Sequence, residues 1–289
     1  MCAELLKGEP VAERLKNEAE QAMSGLSSAP RLAAVLASDN PGARYYAKSQ
    51  ESACEEVGIE YELHELEADA SGAEIEGYIA DLNADPDVNG IILLMPVPDG
   101  VNAREVQQTI DPAKDAEGVH PANIGKLFYG DFTLAPCTPR AVMELLSEAD
   151  VDLAGKETVV VGHSEIVGKP TLTMLLKSEM NSPTVTCCHI ATRDLAFHTR
   201  RAEVLIVAAG KAGLVSGDMV KDDAVVIDVG INRIKVEEDG ETETKVVGDV
   251  EFDEAEEKAS VITPVPGGVG PVTTAGLLLN TARCARLQS

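Results

Sequence analysis

Basic residues are few. The 289-residue chain sets only 24 Lys and Arg against 49 Asp and Glu, a formal net charge of -25, which argues against a polyanion such as DNA or an anionic membrane as its main partner. The surplus acid is not a tail. It recurs at Glu55, Glu56, Glu251, Asp253, Glu254, Glu256 and Glu257, on stretches that read as solvated faces serving solubility. Long apolar runs are missing too: no stretch approaches roughly eighteen uninterrupted apolar residues, the span of a membrane helix. The opening Met1-Cys2-Ala3-Glu4-Leu5-Leu6-Lys7 has no basic segment leading into an apolar core, so neither a membrane span nor a secretory leader is expected and the expected address is cytoplasmic. No Cys-x-x-Cys spacing occurs among the six cysteines, and only Cys187-Cys188 come near a histidine, His189. That arrangement suits reduced, mostly buried thiols, and no metal site is expected.

What is present is apolar content in a regular pattern. Hydrophobic residues make up 44% of the chain, enough for the cores of one large or two ordinary domains. In the first half, Leu32 to Ala37, Ile59 to Leu66 and Gly90 to Met95 read as strands. They alternate with helices over Ala43 to Val57 and Ala73 to Leu82, a βαβαβ order that implies a parallel sheet. A second unit follows a helix near Ala141 to Ser147. Its strands are Thr158 to Val161, Thr184 to Cys188, Val204 to Ala209, Ala224 to Val229 and Ser260 to Thr263, separated by helix-length segments; this is the doubly wound nucleotide-binding pattern. The acidic insert Val236 to Thr244 reads as a surface hairpin or loop.

Two runs carry chemistry. Pro264-Val265-Pro266-Gly267-Gly268-Val269-Gly270-Pro271-Val272-Thr273-Thr274 packs three prolines and three glycines between a strand and a helix from Ala275 to Ala285, and reads as a rigid, shaped loop able to wall a flat ligand. Gly162-His163-Ser164-Glu165-Ile166-Val167-Gly168-Lys169-Pro170 is not a G-x-G-x-x-G, but it joins a strand to a helix from Thr171. Such a turn is expected to offer backbone N–H groups and a positive helix end to a pyrophosphate.

With Asp228-Val229-Gly230-Ile231-Asn232 and Lys114-Asp115-Ala116-Glu117-Gly118, these runs resemble the bifunctional methylenetetrahydrofolate dehydrogenase/methenyltetrahydrofolate cyclohydrolase family over nearly the whole chain. The resemblance implies a two-domain α/β subunit, usually a homodimer, with tetrahydrofolate in an interdomain cleft and NADP or NAD on the C-terminal domain. Residues 1–142 would form the folate-binding, catalytic domain and 143–271 the Rossmann-type domain, with a final helix over 272–289 returning to the first. The implied substrate contacts include Met95, Pro96, Pro266, Gly270 and Pro271. Cofactor contacts are implied at Thr138, Gly162, His163 and Ser164, and at Ile166, Ile190, Ile231 and Thr273.

The catalytic helix departs from the family pattern. Asp39-Asn40-Pro41 supplies a cap and a first-turn proline, and Gly58 a stop. The family reads Tyr-x-x-x-Lys ahead of Ala-Cys-Glu-Glu-x-Gly. Counting back from Ala53-Cys54-Glu55-Glu56-Val57-Gly58 places the tyrosine at Tyr46 and the lysine position at Gln50. Lys48 does not restore it, because on a helix it lies about 200° around from Tyr46. The glutamine that supports the lysine in the family becomes Leu94, counted here among the substrate contacts, and the second aspartate of Asp-Val-Asp-Gly becomes Glu117. Tyr46, Gln50 and Glu117 are thus the candidate catalytic residues.

Hydride removal from the folate methylene bridge leaves a delocalised cation and needs no protein base, whereas adding water to that cation profits from a group able to exchange a proton. Gln50 has no accessible pKa, so the expectation is a dehydrogenase with weak or absent cyclohydrolase activity. The alternatives are a bifunctional enzyme in which Glu117 or a water replaces the lysine, and a silent folate-binding member. Ile190 and Ala191 stand where NADP-using relatives carry phosphate-binding residues, and neutral His163 would pair a phosphate weakly. NAD is therefore favoured, although Arg193 is close by and no acid ends the second strand to bind a ribose hydroxyl.

Overall fold

The computed structural model describes residues 2–177, 180–238 and 241–289. The first half of the chain forms β1 (Glu4–Leu5), α1 (Glu9–Met23), β2 (Arg31–Leu36), α2 (Pro41–Val57), β3 (Glu60–Glu65), α3 (Gly72–Ala84), β4 (Gly90–Leu93), α4 (Ala103–Gln107), α5 (Pro121–Phe128) and α6 (Cys137–Glu148). The second half forms β5 (Glu157–Val161), α7 (Gly168–Leu175), β6 (Thr184–Cys188), α8 (Leu195–Thr199), β7 (Val204–Val207) and β8 (Val225–Asp228). It continues through β9 (Asn232–Glu238), β10 (Glu241–Val247), α9 (Phe252–Glu256), β11 (Val261–Ile262) and α10 (Val269–Gln288).

The chain divides into two compact units, one of Glu13–Cys137 with Thr274–Ser289, the other of Met1–Ala12 with Thr138–Thr273. In the first, β2 pairs in parallel with β3 and β4. Leu32, Ala33, Ala34, Val35 and Leu36 are all fully buried, as expected of a parallel strand covered on both faces. Ile75, Ile79 and Leu82 of α3 pack with Ile91, Leu93 and Val106 in one core cluster.

The second unit holds a wholly parallel six-stranded sheet in the order β1-β11-β8-β7-β5-β6. It is Rossmann-type and doubly wound. Because β5 lies between β6 and β7, the strand order reverses beside it, and the crevice beyond the carboxyl ends at such a switch is where open α/β sheets bind ligands.

Three boundaries differ from the sequence reading. Residues 1–12, assigned to the first domain, group with the second, because β1 pairs with β11 (Glu4 beside Val261, Leu5 beside Ile262) and Gly8 N donates to Gly267 O at 2.8 Å. A two-residue strand has no periodicity by which to announce such a partner. The last helix begins at Val269 rather than Ala275, so Gly270 and Pro271 lie in its first turn and not in a loop. First-turn N–H groups have no intrahelical acceptor, so proline is tolerated there. The acidic insert is an antiparallel hairpin of β9 and β10 running from Asn232 to Val247, longer than expected; residues 239 and 240 lie outside the described residues.

Candidate active site

In the first unit the site is built on α2. Asn40 Oδ1 accepts from Gly42 N and Ala43 N, Pro41 opens the first turn, and Gly58 ends the helix at φ 79°. Ala43, Ala47, Gln50, Cys54 and Val57 are its buried residues, and their three- and four-residue spacing makes one inward face. Gln50 lies on that face at 3% exposure, while Lys48 is exposed.

A buried amide needs partners at both ends. The Tyr61 hydroxyl of β3 donates to Gln50 Oε1 at 3.1 Å, and the Gln50 side chain also acts on Tyr46, drawing its phenol downward. Tyr46 leaves 46% of its surface exposed. Even so, the protein around its hydroxyl, then the charges of Glu117 and Cys137, push its phenol up to about 12, against the pull of the Gln50 contact.

Glu117 is carried by a turn that Asp115 folds around its own carboxylate. Asp115 Oδ1 accepts from Gly118 N at 3.0 Å and Val119 N at 3.2 Å, and Oδ2 accepts from His120 N at 2.8 Å and Asn123 Nδ2 at 2.9 Å. Gly118, at φ +73°, has no room for a side chain: a Cβ would lie 2.5 Å from the Ala135 carbonyl carbon. Glu117 itself is partly covered by area, but the density of protein around it desolvates the charged form. Burial, then the charge of Asp115, push its carboxyl up to about 7, with a hydrogen bond from Gln107 opposing. A carboxyl group poised there exchanges a proton at neutral pH.

At the carboxyl end of β4, Met95 and Pro96 are exposed. Leu94, read as a substrate contact, is not: its N–H extends the ladder to Val35 O at 2.9 Å and only 4% of it is exposed. It fills the core behind the surface that Met95 and Pro96 present.

In the second unit, the turn after β5 meets the expected position with a different hydrogen-bond pattern. Gly162, at φ +130°, brings the chain so close to β7 that a Cβ would lie 2.1 Å from Ala208 O. Gly162→Ala is therefore expected to destabilise this unit by about 2–4 kcal/mol; a urea midpoint unchanged from the unmodified protein would contradict the packing argument. The start of α7 was expected to offer unpaired N–H groups. Instead, Ser164 Oγ accepts from Val167 N and Gly168 N, Ser164 O accepts from Lys169 N at 2.9 Å, and Pro170 has none to give. What this helix end retains for an anion is its dipole.

His163 and His189, on the turns after β5 and β6, stand edge to face with ring centroids 4.8 Å apart. Ile166, Ile190 and Ile231, one on each of the turns after β5, β6 and β8, are all exposed. Thr273 Oγ1 reaches Thr138 Oγ1 at 3.4 Å, joining two expected cofactor contacts far apart in sequence. Pro266 is exposed in the loop before α10, Pro271 is exposed and Gly270 half-buried in its first turn. A glycine cradle and exposed apolar side chains at the switch suit a dinucleotide.

The sequence reading passed over a buried pair beneath these turns. Asp249 Oδ2 accepts from Ala209 N at 2.6 Å and Gly210 N at 2.8 Å, and Oδ1 accepts from Lys211 N and Asn232 Nδ2, both at 2.8 Å. Asp228 accepts from Gly230 N, Asp249 N and Val250 N; burial pushes its carboxyl up to about 6, its three backbone donors opposing. The signal available was an acid at the end of an otherwise apolar strand, Val225 to Asp228, which only a ring of donors could stabilise.

Comparison with known proteins agrees with this arrangement. The profile described as "Tetrahydrofolate dehydrogenase/cyclohydrolase, catalytic domain" matches residues 6–117, and that described as "Tetrahydrofolate dehydrogenase/cyclohydrolase, NAD(P)-binding domain" matches residues 136–289. The bifunctional protein FolD of Salinibacter ruber is 47% identical over 292 residues, covering 99% of this chain and 97% of its own. Among solved structures, the bifunctional enzyme FolD of Campylobacter jejuni superposes with a TM-score of 0.91 at 42% identity, over 99% of this chain and 100% of its own. The Trypanosoma brucei enzyme, solved with NADP and an inhibitor, gives the same TM-score at 32% identity, over 99% and 98%.

Proposed function

Because the chain belongs to the tetrahydrofolate dehydrogenase/cyclohydrolase family, we propose that it oxidises methylenetetrahydrofolate with a nicotinamide dinucleotide and also hydrolyses the methenyl product, Glu117 exchanging the proton in the second step. The observation that carries the reading is the placement of Glu117 on the tight turn that Asp115 folds around its carboxylate, within electrostatic reach of Tyr46 and where burial pushes its carboxyl up to about 7. NAD or NADP supplies the hydride acceptor when bound. Tyr46 orients the folate, and a Glu117 carboxylate nearby stabilises the cation left by hydride departure.

In hydrolysis, the Glu117 carboxylate takes a proton as water adds to the methenyl carbon. It returns that proton to the departing ring nitrogen as the carbon–nitrogen bond breaks, while the adduct's hydroxyl gives its own proton to solvent, so that the formyl product forms and one proton is released overall. The base form prevails above pH 7, so hydrolysis should rise as pH passes through about 7. The relatives named bifunctional support this reading over the expectation of weak or absent cyclohydrolase activity. Dehydrogenation alone remains the second reading, favoured by Gln50 at the lysine position. Absorbance of the methenyl compound, followed with and without the protein, separates the two.

For the cofactor, the reading is NAD. Ile190 is 63% exposed on the turn after β6 and cannot pair a phosphate. Ile190→Arg should shift the NADP-to-NAD ratio of kcat/KM upward by about tenfold, since it adds a charge-assisted phosphate contact. If the unmodified protein already prefers NADP, Ile190 is not the discriminating position and Arg193 takes its place. The working form is a cytoplasmic homodimer, a reading supported by the family resemblance and tested by light scattering.

A further inference from the structure

The direction in which Glu117 leaves the chain is set by the two peptide planes that meet at its Cα. The plane after it is held from both sides: Glu117 O accepts from Cys137 N at 3.2 Å, and Gly118 N donates to Asp115 Oδ1 at 3.0 Å. The plane before it ends in Ala116 O, whose partner comes from 164 residues away. Asn280 of α10, wholly buried, donates through Nδ2 to Ala116 O at 3.0 Å and to Ala135 O at 2.9 Å. Backbone carbonyls only accept, so the amide has one possible orientation and both its hydrogens are used. The Cys137 thiol lies 3.6 Å from the same nitrogen and 3.5 Å from Ala116 O. Asn280 Oδ1, turned the other way, has no hydrogen-bond partner among the described residues. A buried oxygen left bare is costly. An apolar side chain would avoid that cost; what the amide supplies is a pair of donors for two buried carbonyls that converge on one nitrogen.

We propose that Asn280 is a positioning residue: by donating to Ala116 O and Ala135 O at once it fixes the peptide plane before Glu117, and with it the direction of the Glu117 carboxyl. This rests on the reading of Glu117 as the group that exchanges a proton. The segment at Ala135 is the one that leaves Gly118 no room for a side chain, so the amide ties the turn to the wall it packs against. The titratable groups around Glu117 are Asp115 on its own turn, Tyr46 on α2 and Cys137 at the start of α6. Asn280 adds no charge to them and acts only through the turn.

The test compares Asn280→Leu with Leu278→Ala, a buried change on the same helix. Without its two donors the turn relaxes, water reaches Glu117, and the carboxyl falls from about 7 toward the ordinary 4.5. The pH at which methenyl hydrolysis rises should therefore move down by about one unit or more. The plateau kcat should fall about 10–100-fold with KM within about threefold, since the turn serves the reacting state rather than binding. Leu278→Ala should leave that pH where it is, even where its urea midpoint drops as far. Independently of turnover, the Glu117 carboxyl carbon resonance, assigned by its loss in Glu117→Gln, should titrate lower in Asn280→Leu than in the unmodified protein. An unmoved pH profile or carboxyl titration in Asn280→Leu, or an equal shift in Leu278→Ala, overturns the proposal. Should Asn280→Leu fold poorly, Asn280→Ala, which admits water to the carbonyls, is held to the same outcomes. If the unmodified protein fails to hydrolyse the methenyl compound, the functional reading falls and the carboxyl titration alone decides the role of Asn280.

Discussion

Glu117→Gln should slow methenyl hydrolysis by about 10²–10⁴-fold, the usual cost of losing general acid/base help, while hydride transfer falls by no more than about tenfold. Glutamine keeps the shape and the contact with Gln107 but cannot exchange a proton. The same variant carries a stability signature of opposite sign. A carboxyl raised from 4.5 to about 7 on folding favours the native state while protonated, so its contribution is full below pH 4.5 and is lost as pH rises through 7. Glu117→Gln should therefore match the unmodified protein near pH 4 and exceed it by about 1–3 kcal/mol at pH 8, discounted for the partial exposure of the residue. Denaturant melts at the two pH values read this directly. Equal hydrolysis by the variant, or equal relative stability at both pH values, would show that Glu117 is an ordinary surface carboxylate.

The largest stability loss is expected at Asp249→Ala. It leaves the N–H groups of Ala209, Gly210 and Lys211 and the amide of Asn232 without their acceptor, at a cost of about 3–5 kcal/mol. Those donors lie on the turn after β7 and at the start of β9, so binding of the nicotinamide dinucleotide should weaken along with the fold. Asp249→Asn, which keeps one acceptor oxygen, should fall between. A urea unfolding series on the three proteins measures the loss, and a change under about 1 kcal/mol for Asp249→Ala would mean that water replaces the carboxylate at little cost.

Elements carried by local pattern were legible in the sequence. Val159-Val160-Val161, Val204 to Val207 and Leu32 to Leu36 are apolar runs bounded by turns, and each is a buried parallel strand. The spacing of Ala43, Ala47, Gln50 and Cys54 puts Gln50 inward and Lys48 outward, as the reading of the helix required. Partnerships over long sequence separations were not legible. Nothing near Glu4 names Val261 as its neighbour, and nothing near Asp249 points to Ala209, 40 residues away. Tyr61 was overlooked because β3 reads Glu-Tyr-Glu-Leu-His-Glu, where a tyrosine is unremarkable until the register sets it beside α2. The motif at Ser164 was recognised, but not that its hydroxyl and carbonyl would take the N–H groups thought to await a phosphate.

The central claim, a proton-exchanging Glu117 serving where the family pattern has lysine, is tested most directly by the unmodified protein. Decay of methenyltetrahydrofolate absorbance is followed with the protein and in buffer alone across pH 5.5–8.5, a window bracketing the carboxyl raised to about 7. The account predicts protein-dependent decay that rises with pH through about 7 and levels off above it. Decay no faster than buffer at every pH would contradict it and leave a dehydrogenase whose buried Gln50 cannot replace a base.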